Sequence, residues 1–190
     1  MEIAGWILLG LFVLIVIIAI YVMATYNRLI RLRNDVEEGY STMDVYLKRR
    51  YDLIPNLVET VKGYAKHEKE TLTNVIAARN MAMNSTNLNE KAKNENILSD
   101  TLKSLFALSE NYPELKANVN FLDLQTQLKQ IEIDIANSRK YYNGVVKTFN
   151  NKIEVFPSNI IAQLFKFVKK VMFVVDEQEE RKNVKVNFNS

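Results

Sequence analysis

The hydrophobic pattern divides the chain into an apolar N-terminal stretch and a longer region in which polar and apolar positions alternate. No charged side chain occurs from Ile3 to Tyr26. A helix needs about 20 apolar residues to cross a hydrocarbon core of about 30 Å, where it satisfies its own backbone polar groups. We therefore predict an uncleaved transmembrane anchor over residues 1–26. A core helix would be shorter and less uniformly apolar, and a signal peptide would carry Lys or Arg before its apolar part.

Positive charges follow the apolar stretch, and nothing basic precedes it apart from the amino terminus. Arg28, Arg31 and Arg33 lie within two helical turns of its end. The positive-inside rule then places the N-terminus outside and residues 27 onward in the cytoplasm. We expect a single-pass protein of the cell (inner) membrane, with these three arginines at the membrane interface.

The rest of the chain has the periodicity of long amphipathic helices. The first is expected to continue from the anchor through Arg50, and the second to start near Ile54 because Pro55 is unfavourable inside a helix. A third is expected from about Glu90 to Glu110. The fourth has a coiled-coil-like seam with spacings of three and four, formed by Phe121, Leu124, Leu128, Ile131, Ile135, Ser138, Tyr142, Val145 and Phe149.

Four such helices joined by short turns favour an antiparallel up-and-down four-helix bundle over residues 27–157. The fold class expected is all-α, with the transmembrane helix in front of this bundle. The alternative is one continuous helix bent at Pro55, in which case the fourth helix would point away from the bilayer. We favour four separate helices.

Residues 158–175 are predicted to form a basic amphipathic helix. One face would carry Ile161, Leu164, Phe165, Val168, Val171 and Met172, and the other Gln163, Lys166, Lys169 and Lys170. Such a helix either caps the bundle or lies on a membrane surface, and the sequence alone favours the cap. In an up-and-down bundle the fourth helix returns to the bilayer, so Lys166, Lys169 and Lys170 become candidate membrane-interface residues. Residues 176–190 are expected to be a charged, flexible tail, in which Val184, Val186 and Phe188 alternate like a strand.

The composition excludes several kinds of function. A net charge of +3 is too small to indicate nucleic-acid binding. The absence of cysteine fits a reducing compartment. His67 is the only histidine and lies among charged residues, so a metal site is not expected. Asp44, Asp123, Glu132 and Asp134 are expected to be surface charges. We predict no catalytic residue, no metal and no cofactor.

The polar end of the fourth helix allows two interpretations. Arg139, Tyr141, Tyr142 and Asn143 follow Ser138, which interrupts the seam. The favoured interpretation is that the tyrosines bury their rings and keep their hydroxyls hydrogen-bonded. The alternative is a surface for a second copy or another protein, because Tyr and Arg are enriched at binding hot spots.

Several segments resemble bacterial LemA proteins, in order and over roughly residues 26–165. They are Tyr26–Ile30, Lys48–Ala65, Ala78–Asn80, Tyr112–Asn118, Ile135–Asn143 and Phe156–Pro157. The resemblance implies an N-terminal anchor and a cytoplasmic helical bundle. It implies no catalytic residues, because the family has none that are accepted.

Three functions are compatible with these features. The first, which we favour, is a membrane-anchored scaffold or interaction protein that binds the lipid bilayer, forms homo-oligomers and has no nucleic-acid partner. The second is an adaptor or regulator of a membrane-protein partner, such as a protease or an envelope-stress component. The third is an enzyme or small-molecule sensor that uses a cavity of the bundle.

Overall fold

The computed structural model describes residues 2–174, and all regular structure in that range is helical. The predicted all-α class with a long apolar N-terminal helix is confirmed. The predicted tail at 176–190 lies outside the described residues. The helices are α1 (Glu2–Tyr64), α2 (Lys69–Met83), α3 (Leu88–Ser109), α4 (Pro113–Lys116), α5 (Val119–Glu154) and α6 (Ser158–Leu164).

The first helix runs through Pro55 without a break, so the predicted start of a new helix near Ile54 is wrong. Proline has no N–H, and inside a helix it leaves the carbonyl four residues earlier without its usual donor. That carbonyl belongs to Tyr51, and the Nε of Arg79 on α2 donates to it over 2.7 Å. The side chain thus replaces the backbone donor that Pro55 lacks.

The turn after α1 falls at residues 65–68, and α2 begins at Lys69. The buried face of α1 is a stripe with a spacing of seven that continues past the proline. Its members are Leu29, Val36, Met43, Arg50 and Leu57. Packing along both sides of Pro55 therefore favours one continuous helix.

The described chain divides into two compact units. The anchor unit comprises Met1–Thr42 and Lys140–Val171, and the central unit comprises Met43–Arg139 and the chain from Met172. Helices α1 and α5 contribute to both units.

In the central unit the contacts define the directions of the helices. Arg50 of α1 contacts Glu95 of α3 and Glu132 of α5. Asp44 pairs with Lys91 and Tyr64 with Asn118, so α1 runs parallel to α3 and antiparallel to α5. The bond from Arg79 to Tyr51 shows that α2 folds back along α1.

In the anchor unit α1 also lies beside the second half of α5. Gly39 lies against Tyr141 and Tyr142, where an added Cβ would come within 3.4 Å of both residues. The rings of Tyr40 and Tyr142 are 6.0 Å apart. An added Cβ at position 39 would thus fill the space between the two helices at ordinary contact distance, which shows how closely they pack here.

The predicted helix over 158–175 is wrong in its extent, because α6 ends at Leu164. Lys166 has a left-handed φ of 56°. The N–H of Phe167 donates to the carbonyl of Ala162, and the N–H of Lys166 donates to that of Gln163. These two bonds form a Schellman motif, which ends a helix. Residues beyond it continue without helical structure to Val174.

Candidate functional site

The N-terminal part of α1 is long and apolar enough to cross a membrane, as judged from length and composition. Its most apolar stretch buries none of its residues against the rest of the described protein. Trp6 is 72% exposed and Phe12 is 64% exposed. An exposed apolar surface of this length supports membrane anchoring.

The three arginines predicted to flank the membrane follow this stretch on α1. Arg28 and Arg31 are exposed, and the Nε of Arg31 donates to the carbonyl of Asn27 over 3.4 Å. Arg33 is half-buried, with its Nε 3.9 Å from a carboxylate oxygen of Glu37. Their place at a lipid interface stays a prediction.

The three lysines predicted to meet lipid lie on the chain after α6. Lys166 and Lys169 are exposed, and Lys169 forms an ion pair with Glu154 of α5. Lys170 is half-buried, and its backbone is held by the side chain of Asn150 through bonds of 2.9 and 2.8 Å. The lysines therefore lie in the turn that ends α6 and on the non-helical chain after it, and not on one helical face.

Aromatic contacts place this segment beside the end of the apolar stretch. The ring of Tyr26 lies 4.7 Å from that of Phe165 and 6.0 Å from that of Phe167. Phe167 also contacts Phe149 of α5, with ring centroids 6.3 Å apart. The sequence argument predicts that with one helix continuing through Pro55 the fourth helix would point away from the bilayer. In the structure α1 does continue through Pro55, and the chain after α6 lies beside Tyr26 at the end of the apolar stretch. With the turn at residues 65–68 and not near Ile54, the helices still alternate in direction along the chain.

The second feature is a buried ion network in the central unit. Arg50 is fully buried, and its two terminal nitrogens contact Glu95 and Glu132. Ser99 accepts a hydrogen bond from Arg50 over 3.0 Å and donates one to Glu132 over 3.1 Å. The hydroxyl of Tyr51 donates to the other oxygen of Glu95. Since Glu95 is fully buried too, Arg50 and Glu95 need each other as close partners, although Arg50 is also compensated by Glu132.

A second arginine completes this network. Arg139 is largely buried, with its Nη2 4.0 Å from the Oε2 of Glu95. Its guanidinium also lies 4.7 Å from the centre of the Phe173 ring. The network of Arg50, Arg139, Glu95 and Glu132 therefore combines two positive and two negative charges.

Burial shifts the pKa values of three side chains in and beside this network. It lowers the pKa of Arg50 from its ordinary value, against the attraction of Glu132. Burial, together with repulsion from Arg50, lowers the pKa of Arg139 to about 10. It raises the pKa of Tyr51, which therefore stays a neutral donor to Glu95. Charged arginines and a neutral phenol are the forms that match these contacts.

The four residues predicted to form a protein interface fall into two groups in the structure, two with contacts inside the chain and two at least partly exposed. Arg139 belongs to the ion network, and Tyr142 is buried with its hydroxyl donating to the carbonyl of Val171 over 2.8 Å. Both side chains therefore already have contacts within the chain, and an interface at these two positions stays a prediction. Tyr141 is 49% exposed and Asn143 is half-buried, so for these two the interface stays a prediction.

The other predicted polar residues are mostly on the surface. His67 is exposed, as expected, but it lies in the turn after α1 and not on a helix. Asp44 pairs with Lys91, and Asp123 and Asp134 accept hydrogen bonds from glutamines one turn away. Glu132 departs from the expectation in part, because its side chain is 45% exposed but both of its carboxylate oxygens are bound, one by Arg50 and one by Ser99.

The sequence argument missed Arg50 and Glu95, although a signal for both exists. Arg50 continues the series Leu29, Val36 and Met43 at a spacing of seven. Glu95 lies three residues after the buried Ala92 and three before Leu98. A charge in register with an apolar stripe on each of two helices is the pattern of a buried ion pair.

Comparison with known proteins agrees with these features. The profile of the LemA family matches residues 39–188. The chain belongs to the LemA family. Protein LemA of Metamycoplasma hominis is 27% identical over 157 aligned positions, which cover 80% of this chain and 70% of that protein.

Two magnetosome proteins are more distant relatives. MamQ 1 and MamQ 2 of Paramagnetospirillum magneticum are each 23% identical over 174 aligned positions that cover 78% of this chain. The chain spans 64% of the length of these two proteins. The family membership supports a membrane-associated helical protein and assigns no reaction.

Proposed function

We propose that this chain is a single-pass membrane scaffold that binds other proteins, including further copies of itself. The observation that carries the proposal is the construction of α1. Its first part is an exposed apolar stretch, and its later part carries the buried stripe from Leu29 to Leu57. One helix thus joins the membrane anchor to the helical region without a linker.

The proposed orientation has the N-terminus outside and the helical region in the cytoplasm of a cell with an inner membrane. The support is the position of Arg28 and Arg31, which are exposed directly after the apolar stretch. Arg33 follows, with its side chain 43% exposed.

The proposal includes no enzymatic activity and no nucleic-acid partner. The buried carboxylate of Glu95 is compensated by Arg50 and bound by Tyr51, so its oxygens are already used. The network stabilises helix packing in this account. Its role is to hold α1, α3 and α5 in one register, since a buried charge with a misplaced partner is costly.

The exposed ring of Tyr141 is the proposed contact for a second copy. It lies on α5 beside the buried Tyr142, and Asn143 follows it on the same helix. A photoreactive amino acid at position 141 of the full-length protein, introduced in intact cells, tests this contact. The same substitution at Val45, which is equally 49% exposed on α1, is the matched control.

If the chain is a scaffold, mass spectrometry should identify crosslinks from position 141 to another copy of the chain. Fewer such crosslinks are expected from position 45. Crosslinks from position 141 to one membrane enzyme, with stoichiometric co-purification, would favour the adaptor role. A full-length protein that stays monomeric in membranes and crosslinks to no protein would contradict the scaffold.

A further inference from the structure

We infer that the turn before α6, the outer face of α6 and the chain directly after α6 form a second lipid-binding surface, which enters the interface of the bilayer that the N-terminal helix spans. This inference rests on the proposed membrane anchor. The surface, called the α6 patch, consists of Phe156, Ile160, Leu164, Phe165 and Val168. All of these lie in the anchor unit.

The α6 patch is apolar and uncovered in the described protein. Phe156 is 79% exposed, Leu164 69% and Val168 70%. The inner face of α6 is a different set of residues, Ser158, Ile161 and Ala162, which are buried. Ile160 and Leu164 are four residues apart, so they share the outer face of the helix. A short helix that is already packed on one face thus presents further apolar side chains on the other.

The position of the patch identifies the bilayer as its occupant. Phe165 belongs to the patch, and its ring lies 4.7 Å from that of Tyr26. Tyr26 lies near the end of the uncharged stretch that begins at Ile3, two residues before Arg28. The patch is therefore continuous with the surface expected to contact lipid. Aromatic side chains are favoured at this depth of a membrane, where apolar residues enter the boundary between head groups and acyl chains.

The charges around the patch add a weaker preference for anionic lipid. Lys166 is exposed at the end of α6, and Arg28 and Arg31 are exposed just beyond Tyr26. The charge of Lys169 is compensated by Glu154. Because salt screens exposed charges, apolar contact is expected to contribute more than electrostatic attraction.

Tryptophan fluorescence of the full-length protein in nanodiscs tests the inference. The native Trp6 is the only tryptophan, so it reports insertion of the anchor. The test variant is Phe156→Trp in a Trp6→Phe background. Its matched control is Tyr141→Trp in the same background. Tyr141 lies against Gly39, which follows Tyr26 by 13 residues, or about 20 Å of helix.

Lipids brominated near the head-group end of the acyl chains supply the contact-dependent quencher. We expect loss of most fluorescence for Trp6 in the native chain and for Phe156→Trp, and little loss for Tyr141→Trp. Replacing both Lys166 and Lys169 with Gln in the Phe156→Trp variant should leave most of the quenching. Replacing Ile160 and Leu164 with Ser should reduce it, with the helical circular dichroism unchanged.

Each outcome decides between lipid and another explanation. Quenching of Trp6 without quenching of Phe156→Trp would overturn the second surface while the anchor stands. A blue-shifted Phe156→Trp that bromolipids do not quench would indicate a protein contact and also overturn it. An unquenched Trp6 would overturn the anchor and the inference that rests on it.

Discussion

At the scale of single residues, the strongest constraint is the pairing of Arg50 with Glu95. Both side chains are fully buried, and they come from helices α1 and α3. Removing one partner of a buried pair leaves an uncompensated charge, whereas replacing both with apolar residues is often neutral. Comparing the single with the double substitution therefore shows whether the two charges must be paired or whether the two side chains only fill space.

The first prediction uses this contrast. In a soluble fragment beginning at Asn27, Glu95→Leu should reduce the free energy of unfolding by about 3–5 kcal/mol. The double variant Arg50→Met with Glu95→Leu should recover part of this loss, since Arg139 still lacks the carboxylate of Glu95. Urea unfolding followed by circular dichroism measures both values. His67→Ala, at an exposed turn position, is the control and should cost less than about 0.5 kcal/mol. Additive losses in the double variant would refute the buried pair.

The second prediction concerns alkaline pH and the phenol of Tyr51. Burial raises its pKa above the value in the unfolded chain, so the folded state holds this proton more tightly. Its contribution to stability is complete below about pH 10 and is lost as the pH rises through the folded pKa. Tyr51→Phe should therefore weaken the fall in urea midpoint as the pH rises above about 10. Tyr141→Phe removes an exposed phenol as the control. An equal slope in wild type and Tyr51→Phe would contradict the assignment.

At the scale of the helices, Pro55 shows that a rule based on local sequence can fail when a distant residue supplies a contact. The rule that proline breaks a helix rests on a missing donor and a clash within one turn. Here the donor comes from Arg79, which lies 24 residues after Pro55 in the chain. A prediction from local sequence could not include that bond, because it depends on how α2 folds back on α1.

The third prediction tests whether Arg79 compensates for the proline. Arg79→Met should cost about 1–3 kcal/mol, because it leaves the carbonyl of Tyr51 unsatisfied. Pro55→Ala restores an N–H to that carbonyl, so the double variant should lose less than Arg79→Met alone. Urea unfolding of the four proteins in this cycle gives the coupling energy. A coupling energy of zero would mean that Arg79 acts elsewhere.

The fourth prediction concerns the buried face of α5. Ile135 is fully buried and Ile133, on the same helix, is 48% exposed. Ile135→Ala should cost about 2–5 kcal/mol, whereas Ile133→Ala should cost well under half as much because its side chain already contacts solvent. Leu128→Ala and Ile131→Ala should behave like Ile135→Ala, since both are buried. The reverse ranking in urea midpoints would show that the seam faces the other way.

The end of α6 was beyond prediction for a similar reason. Apolar residues from Ile161 to Met172 have a helical spacing, but the chain turns at Lys166 with a left-handed φ. Glycine or asparagine is the usual residue at such a position. The alternative arrangement is held by Asn150 and Tyr142, which bind the backbone of Lys170 and Val171. These contacts are not visible in the local sequence.

At the scale of the whole molecule, the sequence suffices for the all-α class and for the apolar N-terminal helix. Both depend on patterns within single helices, such as the uncharged run from Ile3 to Tyr26. The ion network could not be predicted from patterns within single helices, because it depends on the relative register of α1, α3 and α5. The sequence places Arg50 and Glu95 in apolar stripes, but it does not show that the two stripes pack against each other.

The most direct test of the account is the orientation of the chain in the membrane. The sequence contains no cysteine, so single-cysteine variants give labelling without background. Glu2→Cys lies before the apolar stretch, and Val119→Cys is a 77% exposed position at the start of α5. In intact spheroplasts a membrane-impermeant thiol reagent should label Glu2→Cys alone, and after permeabilisation it should label both. Labelling of Val119→Cys before permeabilisation would contradict a cytoplasmic helical region, and release of the protein by alkaline carbonate would contradict the anchor itself.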